Sequence, residues 1–289
     1  MPAPSHISAT RLVMLTAATM LAFAANSLLC REALASGSIG PASFTLLRIA
    51  SGAAVLGLLA AHRTRSFRVG GGWRAAAALF AYAAAFSFAY THLSAGTGAL
   101  LLFGAVQTTM IVWGLWSGER INAPQLAGAL AAGAGLVWLL LPGVTAPPVG
   151  DAALMLGAGG AWGVYSLLGR GGRQPTVATA GNFIRAVPMA VLAYLLFGQA
   201  ERSSGIGIAY AVASGALASG MGYALWYSVL PALKATTAAT VQLSVPVIAV
   251  SGGFVLLGEP VTSRLLVAAV AVLGGIAAFV MCRNREPAA

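Results

Sequence analysis

The sequence contains few charged residues. Only 8% of its 289 residues are charged, 59% are hydrophobic, and the mean hydropathy is +0.87. A soluble domain of this length would carry about a quarter charged residues, so this composition excludes a surface that faces mainly water. The chain is therefore expected to be an integral membrane protein whose main solvent is the lipid bilayer.

Sequence motifs for ATP hydrolysis and metal binding are also missing. The chain lacks the Gly-x4-Gly-Lys-Ser/Thr loop of P-loop ATPases, and its only lysine is Lys234. Cys30 and Cys282 lie far apart and are expected to be free thiols, and the three histidines do not have metal-ligand spacing. The sequence therefore predicts no cofactor, no metal site and no hydrolysis of ATP by this chain.

Apolar stretches of about 20 residues recur along the whole chain, and each is long enough to cross a hydrocarbon core of ~30 Å. They are continuously apolar rather than alternating, which favours helices over the strands of an outer-membrane barrel. The first is interpreted as a membrane helix and not as a cleaved signal peptide, because it is long and further spans follow at once. The predicted spans are residues 12–30, 41–61, 73–90, 95–117, 123–141, 151–169, 176–198, 205–230, 235–257 and 261–282.

The formal net charge is +10, a balance that would suggest nucleic-acid binding in a soluble protein. Here the basic residues follow the positive-inside rule instead. With ten crossings and the N-terminus inside, only Arg31, Arg202 and Arg264 fall at outer ends of spans. The cytoplasmic ends hold Arg11, Arg63, Arg65, Arg68, Arg74, Arg120, Arg170, Arg173, Lys234, Arg283 and Arg285. We therefore predict a multi-pass protein of the bacterial inner (plasma) membrane, with both termini cytoplasmic and no nucleic-acid partner.

A Gly-Glu pair separates two apolar runs at Gly118-Glu119 and again at Gly258-Glu259. When the two pairs are aligned, the sequences around them match without gaps, and "SLLCR" at residues 27–31 also matches "SLLGR" at residues 166–170. Chance similarity between two segments rich in small and apolar residues is the alternative. A five-helix repeat has an odd number of crossings, so its two copies would be inverted, as in secondary transporters. Each glutamate is expected to cap the helix that follows it.

The pattern resembles the drug/metabolite transporter superfamily, in particular its EamA-type members. The resemblance covers nearly the whole chain and rests on the two Gly-Glu pairs and on the run "ATTAATVQLSVP" at residues 235–246. The matching run of the first half, "AGTGALLLFGAVQ" at residues 95–107, departs from the family because it lacks the proline. The stretches "LLLFGAVQTTM" and "SLLCREAL" are similar to YddG-type aromatic amino acid exporters.

This resemblance implies an all-α fold of ten transmembrane helices, in two inverted five-helix repeats around a central cavity. The first repeat would cover residues 1–145 and the second residues 146–289. It also implies export of aromatic and other neutral amino acids by alternating access. The alternatives are export of another small metabolite or drug, with or without proton coupling, and a membrane-embedded enzyme. The enzyme alternative lacks support because the sequence places no nucleophile–base pair or metal cluster at one depth in the membrane. The oligomeric state is left open.

An aromatic zwitterion needs both polar partners and ring surfaces along its path. Gln107 and Gln242 are candidates because a lone amide that faces lipid is unfavourable, whereas each aromatic residue has ordinary helix packing or an interfacial belt as its alternative. Arg48 and Arg185 lie inside spans and are expected to be structural, with Arg48 able to reach the outer interface. The predicted substrate-binding residues are Asn26, Tyr82, Phe86, Tyr90, Gln107, Trp162, Tyr165, Tyr223, Trp226, Tyr227, Gln242 and Ser244.

Movement and coupling are expected to depend on a few further residues. Pro188, Pro231 and Pro246 each remove a helix hydrogen bond and are candidate hinges, with fixed kinks as the alternative. His92, between the third and fourth spans, is a candidate gating residue, because histidine is the side-chain type that titrates near neutral pH. No aspartate or glutamate lies in the middle of a span, and buried carboxylates usually carry proton or sodium coupling. We therefore expect facilitated export.

Overall fold

The structure is a computed structural model that describes residues 8–64, 70–169, 174–198, 202–233 and 235–282. Within these ranges every element longer than an isolated bridge is helical, which confirms the predicted all-α class. A π-helical segment, Ser214–Met221, follows α8, and a short 3-10 turn, Leu230–Ala232, follows α9. The helices are α1 Ala9–Ala35, α2 Pro41–Thr64, α3 Trp73–Ala89, α4 Ala95–Trp116, α5 Ala123–Leu140, α6 Val149–Leu168, α7 Pro175–Phe197, α8 Gly205–Ala213, α9 Gly222–Val229, α10 Ala235–Gln242, α11 Ser244–Leu257 and α12 Ser263–Met281.

Each of the ten predicted spans falls on helical structure. The eighth span consists of α8, the π segment and α9 in succession, and the ninth consists of α10 and α11 with a break at Leu243. Length and composition qualify eight helical stretches of the described chain to cross a membrane, and α3 and α6 are outside that set. At 17 residues, α3 is at the lower limit of what can span a bilayer. The protein is thus a multi-pass helical membrane protein.

The connectors between helices gather at two opposite ends of the molecule. At the end that we name the Arg31 end, Ser204 N–H donates to the Ser38 carbonyl at 2.8 Å and joins the α7–α8 connector to the α1–α2 connector. At the end that we name the Gly72 end, Gly72 N–H donates to Asn182 Oδ1 at 2.9 Å. Consecutive connectors therefore alternate between the ends, as expected for helices that reverse direction at each crossing.

Several helices pack in pairs that join the first half of the chain to the second. Helix α5 lies along α12, α2 along α7, and α4 along α11. Helix α6 packs against α3 and α4, while α1 packs against α9 and α11. A Cβ added at Gly275 of α12 would overlap the carbonyl oxygen of Gly128 on α5, so these two backbones touch directly, as small residues permit between membrane helices.

The two Gly-Glu pairs form matching turns. Gly118 has φ +90° and Gly258 has φ +64°, left-handed conformations that favour glycine and end α4 and α11. In both turns the carboxylate folds back over the preceding helix: a Cβ at Gly114 would lie 2.9 Å from Glu119 Oε2, and one at Gly253 would lie 2.7 Å from Glu259 Oε2. The two turns are thus similar but not identical, because the Glu119 N–H donates to Gly114, five residues back, whereas the Glu259 N–H donates to Gly253, six residues back.

The prediction that each glutamate caps the following helix is wrong for Glu259. Its Oε2 accepts the Ala95 N–H at 2.8 Å and so serves the first turn of α4. Helix α12 is capped by the Thr262 side chain, and α5 is capped by a reciprocal pair of hydrogen bonds between Asn122 and Gln125. A hydroxyl or amide at the N-cap position is closer to the free N–H groups than an acid placed further upstream, and therefore takes this role.

Candidate functional site

A cluster of aromatic rings lies midway along the helices, between α3, α6 and α9. The Trp162 ring is 4.8 Å from the Tyr82 ring and 5.4 Å from the Tyr223 ring, with which it stacks at 21°. Tyr82 also contacts Phe86 at 5.4 Å. We name this set the ring cluster; its members are Tyr82, Phe86, Trp162, Tyr165, Tyr223 and Tyr227.

A chain of buried hydrogen bonds borders the ring cluster. Ser214 Oγ donates to Asn26 Oδ1 at 2.6 Å, and Asn26 Nδ2 donates to the Tyr82 hydroxyl at 3.3 Å. The same hydroxyl accepts a hydrogen bond of 2.8 Å from Arg48 Nη2. All four side chains are buried. They come from α1, α2, α3 and the π segment, so the chain of bonds ties together four parts of the fold at one depth.

Arg48 is buried in the molecule at 2% exposure. Its guanidinium carbon lies 5.1 Å from the Tyr82 ring centroid and 4.8 Å from that of Phe86, a cation–π arrangement. The Arg48 side chain therefore does not extend to the outer interface, which its position in the second span would have allowed it to reach. Gly215 of the π segment packs directly against the backbone of α2 at this residue, because a Cβ there would overlap the Arg48 carbonyl oxygen.

Arg185, the other arginine inside a predicted span, is bonded to backbone. Its Nη1 donates to the Gly70 carbonyl at 2.5 Å and to the Gly181 carbonyl at 3.1 Å. Since Gly70 belongs to the α2–α3 connector, Arg185 fastens this connector to α7 at the Gly72 end. The two intramembrane arginines thus have different surroundings.

Polar side chains of α7 hold the other side of the ring cluster. Thr179 Oγ1 lies 3.5 Å from the Tyr165 hydroxyl and donates to the Tyr227 hydroxyl at 3.2 Å. Asn182 Nδ2 donates to the Tyr165 hydroxyl at 3.4 Å. The sequence analysis missed Thr179 and Asn182. Their spacing of three residues, which places two polar groups on one helix face within an apolar run, is the signal that could have identified them.

Five predicted substrate-binding residues are not members of the ring cluster, although one of them, Tyr90, contacts it through Phe86. Tyr90 packs on Phe86 at 4.6 Å, but its hydroxyl donates to the Ala95 carbonyl at the Arg31 end. Ser244 Oγ donates to the Val241 carbonyl beside the break between α10 and α11. Within the described ranges, no hydrogen bond or ring contact joins the remaining members of this group to the ring cluster: Gln107, Trp226 and Gln242, of which Trp226 packs edge-on against Phe23.

The three candidate hinge prolines occupy different settings. Pro188 lies inside α7, which continues through it without interruption. Pro231 lies in the 3-10 turn that ends the eighth span. Pro246 lies in the first turn of α11, directly after the break at Leu243. The π segment between α8 and α9 is a further irregularity that the sequence analysis did not predict, and π-helical turns are frequent at functional sites.

Charged side chains join separate connectors at the Arg31 end. Arg31 Nε donates to Glu259 Oε1 at 2.9 Å, and Arg31 Nη1 donates to the carbonyls of Tyr90 and Thr91. His92 Nδ1 lies 3.1 Å from Asp151 Oδ2 at the start of α6. These contacts close this end across both halves of the chain.

Part of the predicted charge distribution lies outside the described residues. This applies to Arg65, Arg68, Arg170, Arg173, Lys234, Arg283 and Arg285, all assigned to the cytoplasmic side. In the ranges that the structure covers, no three His, Cys, Asp or Glu side chains come together in a group that could hold a metal ion. The ring cluster and its buried hydrogen bonds bring aromatic and polar groups together in one place.

Comparisons with known proteins agree with this membrane architecture. Residues 151–281 match the EamA-like transporter family. The uncharacterized protein PA1977 of Pseudomonas aeruginosa is 58% identical over 268 residues, which is 92% of this chain and 93% of that protein. The threonine/homoserine exporter RhtA of Salmonella typhimurium is 31% identical over 160 residues, 52% of this chain and 53% of RhtA. A solved structure, described only as a crystal structure of a protein, has a TM-score of 0.68 at 22% identity and covers 96% of this chain and 100% of its own.

Proposed function

We propose that the chain is a secondary transporter of the EamA-like type, whose family model its residues 151–281 match, and that it exports neutral amino acids, aromatic ones included, across the bacterial inner membrane. The similarity to an amino acid exporter over half its length supports this substrate class. The aromatic preference rests on one observation, the ring cluster with its buried hydrogen bonds. Rings stack on rings, and the polar groups of an amino acid need hydrogen-bond partners inside a membrane protein.

The proposed architecture is two inverted repeats, residues 1–145 and 146–289. In these repeats α1 is equivalent to α6, α2 to α7, α3 to the span of α8 and α9, α4 to the span of α10 and α11, and α5 to α12. When equivalent helices are exchanged, the packed pairs α5–α12, α2–α7 and α4–α11 are unchanged. The same exchange maps α3–α6 onto α9–α1, and α4–α6 onto α11–α1. The matching turns at Gly118 and Gly258 support the same relation, and the family match at residues 151–281 falls inside the second repeat.

Alternating access is supported by a difference between the two ends. At the Arg31 end, the first half of α4 is buried from Ala95 to Val106 except at Thr97, which is partly buried. Its proposed repeat equivalent near the Gly72 end is α10, where Thr237 and Thr240 are exposed. In a symmetric pair of repeats, such a difference is expected when one end is closed and the other is open. With both termini cytoplasmic, this conformation is closed toward the outside.

Facilitated transport is the proposed mode because the ring cluster contains no carboxylate. Its described members are tyrosine, phenylalanine and tryptophan, and the bordering polar residues are asparagine, serine, threonine and arginine. Proton coupling through a buried acid has no candidate among them. Small hydroxyl amino acids form the competing substrate class, since RhtA is an exporter of threonine and homoserine.

Counterflow in proteoliposomes tests this function. Vesicles loaded with unlabelled amino acid would be diluted into labelled phenylalanine, tryptophan, leucine, threonine or homoserine, with protein-free vesicles as the control. We expect accumulation of label for the aromatic amino acids without an imposed pH gradient. If only threonine and homoserine accumulate, the aromatic preference is wrong and small hydroxyl amino acids are the substrate class. Accumulation of none of these, together with activity on a non-amino-acid drug or metabolite, would contradict the export of amino acids.

A further inference from the structure

Arg48 has a hydrogen-bonding capacity that the protein does not use. Nη2 donates to the Tyr82 hydroxyl, but Nη1 is buried and has no hydrogen-bond partner among the described residues. Most buried side-chain donors in proteins have a partner, and a buried donor without one is destabilising. The unused N–H groups of Nη1 lie beside the ring cluster, because the guanidinium group stands over the Tyr82 and Phe86 rings.

Among the residues that the structure describes, the charge of Arg48 also lacks an anionic partner. The two ion pairs found within the described ranges are Arg31–Glu259 and His92–Asp151, and neither includes it. A cation inside a membrane protein is normally paired or faces a polar cavity. Arg185 gives the contrast, since two backbone carbonyls accept from its Nη1. The cation–π attraction of Arg48 to two ring faces offsets only part of the free energy of hydration that its charge loses on burial.

We propose that Arg48 binds the carboxylate of the transported molecule. This inference deepens the proposed export function and rests on it for the route by which the ligand arrives. A guanidinium presents parallel N–H groups that match the two oxygens of a carboxylate. The Tyr82 hydroxyl oxygen accepts from both Arg48 and Asn26, so its own hydrogen remains to donate to the same anion.

The surroundings define the rest of the ligand. The single guanidinium group of Arg48 suits a ligand with one negative charge, whereas a phosphate dianion would require further cationic side chains. The Trp162 ring lies 4.8 Å from the Tyr82 ring, so an apolar or aromatic group bonded close to the carboxylate would meet rings on several sides. The ligand class is therefore a monocarboxylate with an apolar or aromatic side chain. Arg48 is only 2% exposed here, so binding requires that the rings separate.

Paired ligands that differ only in the carboxylate test this inference on the wild-type protein in lipid nanodiscs. Phenylalanine is compared with phenylalaninamide, and 3-phenylpropionate with its amide, by titration calorimetry and by the shift in unfolding temperature. Inorganic phosphate serves as the dianion probe. We expect each carboxylate to bind about 10- to 100-fold more tightly than its amide, because a bond to a charged group is lost in the amide.

Variants then assign the effect to Arg48. Arg48→Gln should remove the preference for the carboxylate, and Arg48→Lys should restore part of it, since an ammonium keeps the charge without the fork of donors. Arg74→Gln, at an exposed position near the start of α3, is the matched control and should keep the preference. If Arg48→Gln does not fold, the paired ligands on the wild type still decide the question.

Two outcomes would overturn the inference: equal binding of carboxylates and amides by the wild type, or an Arg48→Gln protein that keeps the preference. The proposed export function fails separately. If counterflow shows no transport of amino acids while carboxylates still outcompete their amides in an Arg48-dependent way, the carboxylate site stands and the substrate class moves to other monocarboxylates.

Discussion

Arg31 Nε donates to Glu259 Oε1 at 2.9 Å, a contact that joins the end of α1 to the α11–α12 connector. The second carboxylate oxygen of Glu259 accepts the Ala95 N–H at the start of α4. Arg31 in turn holds two carbonyls of the α3–α4 connector. One ion pair thus fastens two connectors to the end of α1 at the Arg31 end, and the proposed alternating-access cycle would have to break it to open this end.

Loss of this ion pair should open the Arg31 end. We expect Arg31→Met and Glu259→Gln to expose Leu93, which is only 1% accessible in this conformation. The measurement is the labelling rate of Leu93→Cys in cells by a membrane-impermeant maleimide, in a Cys30→Ser background. Arg264→Met is the matched control, because Arg264 bonds only carbonyls of the α5 end within the described residues. An unchanged labelling rate in both test variants would exclude this gate.

Truncation of the central ring should weaken transport of aromatic substrates. Trp162 touches both Tyr82 and Tyr223, and stacking of this kind contributes about 1 kcal/mol beyond area burial. We expect Trp162→Leu to raise the KM for tryptophan by about fivefold. Trp138→Leu, on the exposed side of α5 at 46% exposure, should leave the KM unchanged. Equal effects of the two substitutions would show that the ring cluster is ordinary packing.

The buried hydrogen bond from Ser214 should contribute to stability. Ser214→Ala leaves Asn26 Oδ1 without its donor in a buried site, and an unsatisfied buried acceptor costs about 1–3 kcal/mol. Ser228→Ala is the matched control, because the Ser228 hydroxyl donates only to a carbonyl of its own helix. Reversible unfolding in mild detergent would measure both variants. If the two lost the same stability, this chain of bonds would not be structurally important.

Any side chain at residue 215 should disrupt the packing of the π segment. A Cβ at Gly215 would overlap the carbonyl oxygen of Arg48 and the hydroxyl of Ser51, so Gly215→Ala must push α2 away. Gly57→Ala is the control on α2 itself. A Cβ at Gly57 meets nothing within 4 Å, so this substitution should stabilise the helix by up to about 1 kcal/mol. Size-exclusion chromatography of fluorescent fusions would report the folded yield. Equal yields would contradict the close contact between α2 and the π segment.

The proposed orientation predicts opposite outcomes for two reporter fusions. Alkaline phosphatase inserted after Ala146, in the α5–α6 connector at the Arg31 end, should be active because the enzyme needs the periplasm. The same enzyme fused after Ala289 should be inactive, whereas a green fluorescent protein at that position should fluoresce. The reversed pattern would place the termini outside and reverse the gate assignments given above.

Much of the helical framework could be predicted because lipid imposes a simple rule on sequence. Residues that cross the hydrocarbon must be apolar for about 20 positions and satisfy their backbone within a helix. The turns at Gly118 and Gly258 followed from glycine chemistry in the same direct way. Spacing by four residues on α3 also placed Tyr82 and Phe86 on one face, where the structure finds them together.

The remaining features depend on tertiary packing that local patterns do not encode. The π segment has an ordinary apolar composition, and its irregularity is tied to the close approach of Gly215 to α2. The pairing of Arg31 with Glu259 joins residues at distant positions in the chain, although both were assigned to the outer face. Arg48 was expected to be structural and able to reach the outer interface, whereas its guanidinium group contacts the Tyr82 hydroxyl and the rings of Tyr82 and Phe86, which lie on another helix.

The contact between Gly128 and Gly275 has a mechanical consequence. Two backbones that touch without intervening side chains cannot slide past each other or separate without exposing peptide groups to lipid. In the proposed alternating-access cycle we therefore expect the α5–α12 seam to serve as the pivot axis, so that relative motion of the two halves would be a rotation whose amplitude grows with distance from this seam.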